Sequence, residues 1–243
     1  MLKKVKNSVA VISGASRGIG KAIAEELAAH GYQLALMARD KAGLKVTMNN
    51  CQKKGAKTIV LPVDITNKIA VQKAIKTIMK IFNGIDILIN NHGIYDHHFI
   101  SSKTFSLMEK TINVNLTSSI YLTSQILPHM LNSKKRQSQR AIIFNASLAA
   151  KYAEAGSAAY CASKFGILGF AHALFEEVRE HNIKVSAICA GYTNTSMKHD
   201  KILNESRMIQ PIDIAKAVVF AISTPATMCP IELMVRPQQS PYI

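Results

Sequence analysis

Short apolar runs alternate with longer stretches of helical periodicity along most of this chain. The first six runs are almost continuously apolar, as expected for strands that are covered on both faces. We predict seven strands at residues 8–12, 33–38, 58–63, 85–90, 141–145, 184–190 and 232–236. Apolar residues recurring at helical spacing predict helices at residues 19–30, 41–54, 67–82, 103–131, 158–180 and 211–223.

A repeated strand–helix–strand order is typical of parallel strands joined by right-handed crossovers. The predicted fold class is therefore α/β, a doubly wound parallel β-sheet of about seven strands with helices on both faces. Neither an internal repeat nor a low-complexity linker divides the 243 residues, so we expect a single domain over 1–243. Ligands bind such sheets beyond the carboxyl ends of the strands, and polar motifs follow several of these strands.

A glycine-rich loop follows the first strand and opens the first helix, with glycines at Gly14, Gly18 and Gly20. Glycines allow a tight turn and a close approach of the backbone to a pyrophosphate at the positive end of a helix. Glycines also make ordinary turns, but the strand before this loop and the helix after it are the context that nucleotide binding requires. We predict a nucleotide site here.

The second strand ends in Ala38, Arg39 and Asp40, about 20 residues after the loop, where a dinucleotide fold reads the ribose. Ala38 cannot accept a hydrogen bond from a 2′-hydroxyl, whereas Arg39 and Arg17 can pair with a 2′-phosphate. We therefore predict NADP(H) rather than NAD(H). A salt bridge from Asp40 that turned Arg39 away would weaken this assignment.

Asp64 ends the third strand, and two roles remain open for it. Its carboxylate could accept from an adenine amino group, or it could cap the next helix. Thr66 or Asn67 could make that cap instead.

Tyr160 and Lys164 are four residues apart near the start of a predicted helix and so share one face. An ammonium beside a phenol favours the phenolate and lowers the pKa of the phenol. Ser147 lies just past the fifth strand, where its hydroxyl could hold a carbonyl oxygen while Tyr160 protonates it.

Together these residues resemble the short-chain dehydrogenase/reductase family over nearly the whole chain. The matching motifs are Gly14-x-x-x-Gly18-x-Gly20, Asn90-Asn91-His92-Gly93, Ser147, Tyr160-x-x-x-Lys164 and Gly191 with Thr195. The resemblance implies a Rossmann-like fold and an oxidoreductase that uses NAD(P)(H). It also implies a homodimer or homotetramer built on the helices predicted at 103–131 and 158–180.

The same resemblance implies roles for individual residues. Tyr160 would be the acid in reduction and the base in oxidation, Ser147 would orient the carbonyl, and Lys164 would bind the nicotinamide ribose. Asn115 would anchor a proton-relay water, with Asn113 as the alternative. The remaining cofactor contacts would come from Gly14, Ser16, Arg17, Gly18, Ile19, Gly20, Arg39, Asp64, Ile65, Asn91, Gly93, Gly191, Thr193 and Thr195. Asn90 would stabilise the sheet beside the cofactor.

Two positions depart from the family pattern. His92 replaces the usual alanine, and we expect its side chain to point outward, with a functional role near the nicotinamide as the alternative. Cys189 and Ala190 precede Gly191 where proline is usual, a change that removes no reactive group.

Charge and cysteine content narrow the function classes further. The net charge of +15 excludes an acidic solvating protein and favours an anionic ligand or partner. The run from Lys134 to Arg140 is predicted as a solvated loop, and no nucleic-acid motif appears. No uninterrupted apolar window of about 18 residues predicts a membrane helix. Four scattered cysteines predict neither a metal site nor disulfides, and favour the cytoplasm.

The family resemblance places substrate choice in the loop 95–99 and in a lid at 196–210. We expect a small-molecule carbonyl or alcohol substrate, and an NADPH-dependent reductase of ketones or aldehydes. The alternative is a 3-oxoacyl-[acyl-carrier-protein] reductase, whose acidic partner a basic protein could attract. The C-terminal segment lacks the glycine-rich ending common in that branch. An idle NADPH-binding regulator and an NAD-dependent dehydrogenase remain rival interpretations.

Overall fold

Seven parallel strands form one sheet in the order β3-β2-β1-β4-β5-β6-β7. The computed structural model describes residues 8–102, 105–132, 139–197 and 203–242. The strands are β1 (Val9–Ser13), β2 (Gln33–Ala38), β3 (Thr58–Pro62), β4 (Ile87–Asn90), β5 (Arg140–Asn145), β6 (Ile183–Ala190) and β7 (Glu232–Val235). The strand order reverses between β1 and β4, which places the ligand crevice at their carboxyl ends.

Seven α-helices cover the sheet in the described part of the chain. They are α1 (Gly18–Ala29), α2 (Lys41–Lys53), α3 (Lys68–Phe82), α4 (Phe105–Ile112), α5 (Ser118–Leu131), α6 (Ala158–Val178) and α7 (Pro211–Ser223). The doubly wound fold class predicted from the sequence is confirmed, and strand and helix ends agree with the prediction to within about two residues wherever the element was correctly identified.

The core consists of two layers because alternate residues of each strand face opposite sides of the sheet. Val9 and Val11 pack with residues of α3, α5 and α6, whereas Ala10 and Ile12 pack with residues of α1, α2 and α7. All four side chains are fully buried. This arrangement explains why the strands read as continuous apolar runs.

The helix predicted at 103–131 is not one regular helix. Residues Asn113–Thr117 form a π-helical turn between α4 and α5, and we call it the π-turn. Such turns leave local backbone groups available for other partners and are frequent at functional sites. The prediction of an uninterrupted helix was wrong because helical periodicity does not reveal a change in backbone hydrogen bonding. Residues 103 and 104 lie outside the described residues.

Part of the predicted basic loop is ordered structure. Arg140 is the first residue of β5, and its guanidinium donates hydrogen bonds to the carbonyls of Met130 and His181. Arg140 therefore ties β5 to the end of α5 and to the helical turn after α6 instead of lying in a solvated loop. Lys134, Lys135 and Arg136 lie outside the described residues.

One segment of the described chain, Ala158–His181, is long and apolar enough to cross a membrane by length and composition. It consists of α6 and the short turn after it. Its inner face packs into the core through residues such as Ile167, Ala171 and Leu174. Core helices commonly pass the same test, so the segment is weak evidence for a membrane span.

Candidate active site

A cleft of about 1420 Å³ opens at the carboxyl ends of the central strands. Most of the predicted cofactor residues line it: Gly14, Ser16, Arg17, Gly18, Ile19, Arg39, Asp64, Ile65, Asn91, Gly93 and Thr195. Residues that are far apart in the sequence thus meet on one surface.

The glycine loop forms a cradle that larger residues would block. Gly18 has a φ of +54° at the first residue of α1, a conformation that favours glycine. A Cβ on Gly20 would lie 2.2 Å from the Gly14 carbonyl oxygen, so only glycine fits there. The loop therefore keeps backbone N–H groups at the helix start open to an anion, and these residues fit a dinucleotide phosphate.

Arg39 and Arg17 are exposed at the far end of the cleft. Asp40 is the N-cap of α2, and its carboxylate accepts a hydrogen bond from the Gly43 N–H at 3.0 Å. No ion pair between Asp40 and Arg39 is present among the described residues, so the salt bridge that would turn Arg39 away is not formed there. Both cations are placed to meet a phosphate.

Asp64 is held in a local turn at the same end. Its carboxylate accepts from the Thr66 N–H at 2.9 Å and from the Thr66 hydroxyl at 2.7 Å. These hydrogen bonds, with a smaller effect of the Arg39 charge, lower the pKa of Asp64. Asn67, and not Asp64, caps α3 through a 3.0 Å bond from the Ala70 N–H. The capping alternative for Asp64 is therefore wrong.

Ser147, Tyr160 and Lys164 converge beside the part of the cleft that Tyr95 and Asn145 line, although none of the three lines the cleft itself. The Tyr160 and Ser147 hydroxyls form a hydrogen bond, and the Ser147 hydroxyl accepts from the Ala149 N–H at 3.1 Å. The Lys164 ammonium lies 5.6 Å from the centre of the Tyr160 ring and donates to the Asn145 carbonyl at 2.9 Å. The predicted reactive set thus lies within one small volume.

The electrostatics of this set differ from the prediction. Burial raises the pKa of Tyr160 to about 12, against the lowering effect of its bond with Ser147. Burial also lowers the pKa of Lys164 to about 8. The expectation that the lysine charge dominates the phenol is wrong for the protein alone, because desolvation opposes both charged forms.

Asn115 lies in the π-turn and holds the chain that follows β4. Its side-chain oxygen accepts from the Ile94 N–H at 2.8 Å, and its amide nitrogen donates to the Ile94 carbonyl at 3.0 Å. The same nitrogen donates to the Ser163 hydroxyl at 3.1 Å. Asn115 therefore connects the π-turn to the chain at Ile94 and to α6. The Asn113 carbonyl, in contrast, accepts from the Ser118 hydroxyl.

The segment after β6 closes the cleft on the reactive side. The Thr193 hydroxyl donates to the Gly191 carbonyl at 3.0 Å, and Thr195 lies against the glycine loop. Thr193 also forms a bridge with Ile209, so the described ends of the expected lid are tied together. Residues 198–202 of that lid lie outside the described residues.

The side chain of His92 points inward, contrary to the expectation. Its Nδ1 lies 2.7 Å from the Ser13 hydroxyl and its Nε2 lies 3.2 Å from the Ser119 hydroxyl. The sequence alone could not show these partners, because Ser13 is 79 residues away.

Two further residues at the site received no role from the sequence. Asn145 accepts from Lys164 through its carbonyl and donates from its side chain to the Asn91 side chain at 2.9 Å. Ser13 accepts from the Asn91 N–H at 3.0 Å. Their positions at the carboxyl ends of β5 and β1 are the signal that points to them. Asn90 is buried and donates to the Thr123 hydroxyl of α5 at 3.0 Å, so it ties β4 to that helix.

Among the described residues, no group of three or more His, Cys, Asp or Glu side chains could hold one metal ion. The four cysteines are free thiols.

Comparison with known proteins defines the class. The short chain dehydrogenase family matches residues 8–206. An uncharacterised oxidoreductase of Staphylococcus saprophyticus is 32% identical over 235 residues, covering 96% of this chain and 99% of the relative. The ketoacyl reductase HetN of Nostoc sp. is 32% identical over 221 residues, covering 89% and 76%. A metagenomic short-chain oxidoreductase, solved in complex with NADP, has a TM-score of 0.84, 28% identity and coverage of 98% and 100%.

The chain belongs to the short-chain dehydrogenase/reductase family, and its fold is the Rossmann-like fold of that family. It is an oxidoreductase of a class that uses a nicotinamide cofactor and acts on small molecules.

Proposed function

We propose that this protein is an NADPH-dependent reductase that converts the carbonyl of a small ketone or aldehyde to an alcohol. The observation that carries the proposal is the convergence of Ser147, Tyr160 and Lys164 beside a cleft that the glycine loop and two arginines line. This arrangement supports a proton donor and a phosphate site that serve one bound cofactor and its substrate.

The glycine cradle and the start of α1 would hold the dinucleotide phosphates, while Arg17 and Arg39 would bind the 2′-phosphate. Lys164 would bind the nicotinamide ribose, and Thr195 would contact the carboxamide. The bound nicotinamide supplies or accepts a hydride. Support for NADP(H) also comes from the structural neighbour that was solved with NADP.

The protein's own groups would manage the proton. Tyr160, with a pKa raised to about 12, is protonated at neutral pH and can therefore act as the acid in reduction. The Ser147 hydroxyl has one acceptor position used by the Ala149 N–H, so its proton can be donated to a substrate oxygen. Lys164 is charged at neutral pH and would restore the proton, aided by Asn115.

We further propose that residues 1–243 act as one cytoplasmic domain, with the lid at 196–210 and no nucleic-acid or membrane partner. This proposal applies the arguments from the single sheet and from the net charge to the whole chain.

The test is to follow NADPH oxidation with β-keto esters, aldehydes and cyclic diketones, with NADH in parallel. We expect turnover of small carbonyls and at least a hundredfold loss of kcat in Tyr160→Phe, since a positioned acid contributes about 10²–10⁴. The dissociation constant for NADPH should change by less than about threefold, which corresponds to less than the contribution of one hydrogen bond. Tyr121→Phe, which removes a hydroxyl on α5, is the matched control.

Two results would refute this assignment. Full activity in Tyr160→Phe would show that Tyr160 is not the acid. Binding of NADPH without turnover of any carbonyl would favour a protein that binds the cofactor to regulate and does not catalyse.

A second candidate is a reductase of 3-oxoacyl groups on acyl carrier protein. The relative named a ketoacyl reductase, at 32% identity, favours it. Turnover of an acetoacetyl thioester far above all other substrates in the same panel would select this candidate.

A further inference from the structure

His92 connects two parts of the site that the chain keeps far apart. Ser13 ends β1 and immediately precedes the glycine loop, whereas Ser119 lies in the first turn of α5, just after the π-turn. The two imidazole nitrogens reach these hydroxyls at 2.7 Å and 3.2 Å. The ring thus spans the space between the floor of the cofactor cleft and the start of α5, which directly follows the π-turn that carries Asn115.

The hydrogen-bonding capacity of these groups fixes how their protons are shared. A neutral imidazole offers one donor and one acceptor, and each serine hydroxyl has one proton to donate. The Ser13 oxygen lies 3.1 Å from the Ile89 carbonyl oxygen and the Ser119 oxygen lies 2.7 Å from the Asn115 carbonyl oxygen, so one serine donates to its carbonyl while the other donates to the ring. The imidazole is therefore the middle of a continuous chain of polar contacts that ends on the backbone of Asn115.

The surroundings of the ring favour its neutral form. Burial, with a smaller effect of the nearby Lys164 charge, lowers the pKa of His92 to about 3, against the opposing effect of the Val114 backbone. His92 is consequently neutral at physiological pH, which suits a fixed bridge and not a proton carrier.

The contacts continue from Asn115 to the reactive tyrosine. Asn115 holds both backbone groups of Ile94, and the next residue is Tyr95. The Tyr95 ring packs edge-on against the Tyr160 ring with centroids 5.1 Å apart, and its hydroxyl lies 3.2 Å from that of Ser157 at the start of α6. A displaced π-turn would therefore move groups that touch Tyr160.

We propose that His92 is a positioning residue. It fixes the π-turn, and with it Asn115 and the chain at Ile94, relative to Ser13, the residue that precedes the glycine loop. This inference rests on the proposed function for its kinetic test. An alanine at this position could make neither of the hydrogen bonds to the two serines.

The kinetic experiment compares His92→Gln with His92→Leu in the full chain. Glutamine keeps a donor and an acceptor, whereas leucine fills the space without either. We expect His92→Leu to lower kcat at least tenfold, since a misplacement of about 1 Å can cost about 100-fold, and the carbonyl KM to change by less than about threefold. His92→Gln should recover at least a third of the wild-type kcat.

Variants of the partner serines separate positioning from general packing. Ser119→Ala removes one imidazole partner, so its kcat should fall in the same direction as that of His92→Leu. Ser124→Ala is the control, because within the described part of the chain the Ser124 hydroxyl binds the Tyr121 carbonyl of its own helix and no other group. Its kcat should equal that of the wild type.

A second readout needs no turnover. Nitrogen NMR of the imidazole should show a neutral ring between about pH 5 and 8, and Ser119→Ala should shift its Nε2 signal. An unchanged kcat in folded His92→Leu, or a His92 signal that titrates near the usual pKa, would overturn the inference. If the wild type reduces no carbonyl, the proposed function fails while the NMR result still decides the bridge.

Discussion

At the scale of single residues, the surroundings of a side chain decide its role. Asp40 and Asp64 both follow strands at the rim of the cleft, yet one caps a helix and the other closes a turn on Thr66. The buried Asp86 carboxylate instead accepts from the Val9 N–H at 2.7 Å. Because the acids near the arginines have local partners, Arg39 stays available to a phosphate.

Replacement of Arg39 should therefore change cofactor choice. We expect Arg39→Ala to weaken NADPH binding about tenfold, since a charge-assisted hydrogen bond contributes about 1.5–3 kcal/mol and solvent exposure reduces it. NADH binding should stay nearly unchanged. Fluorescence titration with both cofactors measures this, and Arg179→Ala, an exposed arginine on the far side of α6, is the control. Equal weakening of both cofactors would contradict the NADP(H) assignment.

The titration of Lys164 should set the alkaline limit of reduction. Burial lowers the pKa of this ammonium to about 8, so its charge is lost as the pH rises through that value. Tyr160, with a pKa near 12, stays protonated over this range. We expect kcat for reduction to be level below about pH 7 and to fall above about pH 8. A profile that stays level to pH 10 would contradict this role of Lys164.

At the scale of elements, the site depends on places where regular structure is interrupted. The π-turn brings Asn115 next to Gly93 and Ile94, and the glycine loop lets α1 begin directly under the cleft. In both places the backbone geometry, and not a reactive side chain, is what the site requires.

The glycine loop offers a direct test of this requirement. Gly20→Ala would place a Cβ 2.2 Å from the Gly14 carbonyl oxygen, so the loop must shift. We expect NADPH affinity to fall at least tenfold, because the shift displaces N–H groups that would bind phosphate. Gly169→Ala, in α6 with no atom within 4 Å of the new Cβ, is the matched control. Equal affinities in the two variants, measured by calorimetry, would argue against the cradle.

At the scale of the whole molecule, several large apolar side chains are left exposed on α4, α5 and α6. They are Phe105, Leu107, Ile120, Leu131 and Phe165, the last with 46% of its surface exposed. Exposed apolar surface on neighbouring helices is typical of interfaces. We propose that these helices form the interface of a homodimer or homotetramer.

Sedimentation velocity at about 10 µM should show that oligomer, since obligate interfaces of this kind remain formed at such concentrations. Phe165→Glu should convert it to monomer by placing a charge in the apolar interface. Val46→Glu on α2, at a site with similar exposure, should leave it intact. A monomeric wild type would refute the proposal.

The sequence by itself determined the sheet, the helix order and the residues proposed to be reactive. These depend on local patterns: apolar runs for buried strands, the spacing of Tyr160 and Lys164 on one helix, and glycines between a strand and a helix. Each can be read within a short window, so no knowledge of distant neighbours is needed.

Only the tertiary structure decided the orientation of His92, the π-turn and the direction of the pKa shifts. The partners of His92 lie 79 and 27 residues away, and no local pattern encodes them. The pKa of Tyr160 depends on desolvation, which the surrounding packed elements create together. The residue types were therefore readable from the chain, whereas their burial and long-range partners exist only once the sheet and helices have assembled.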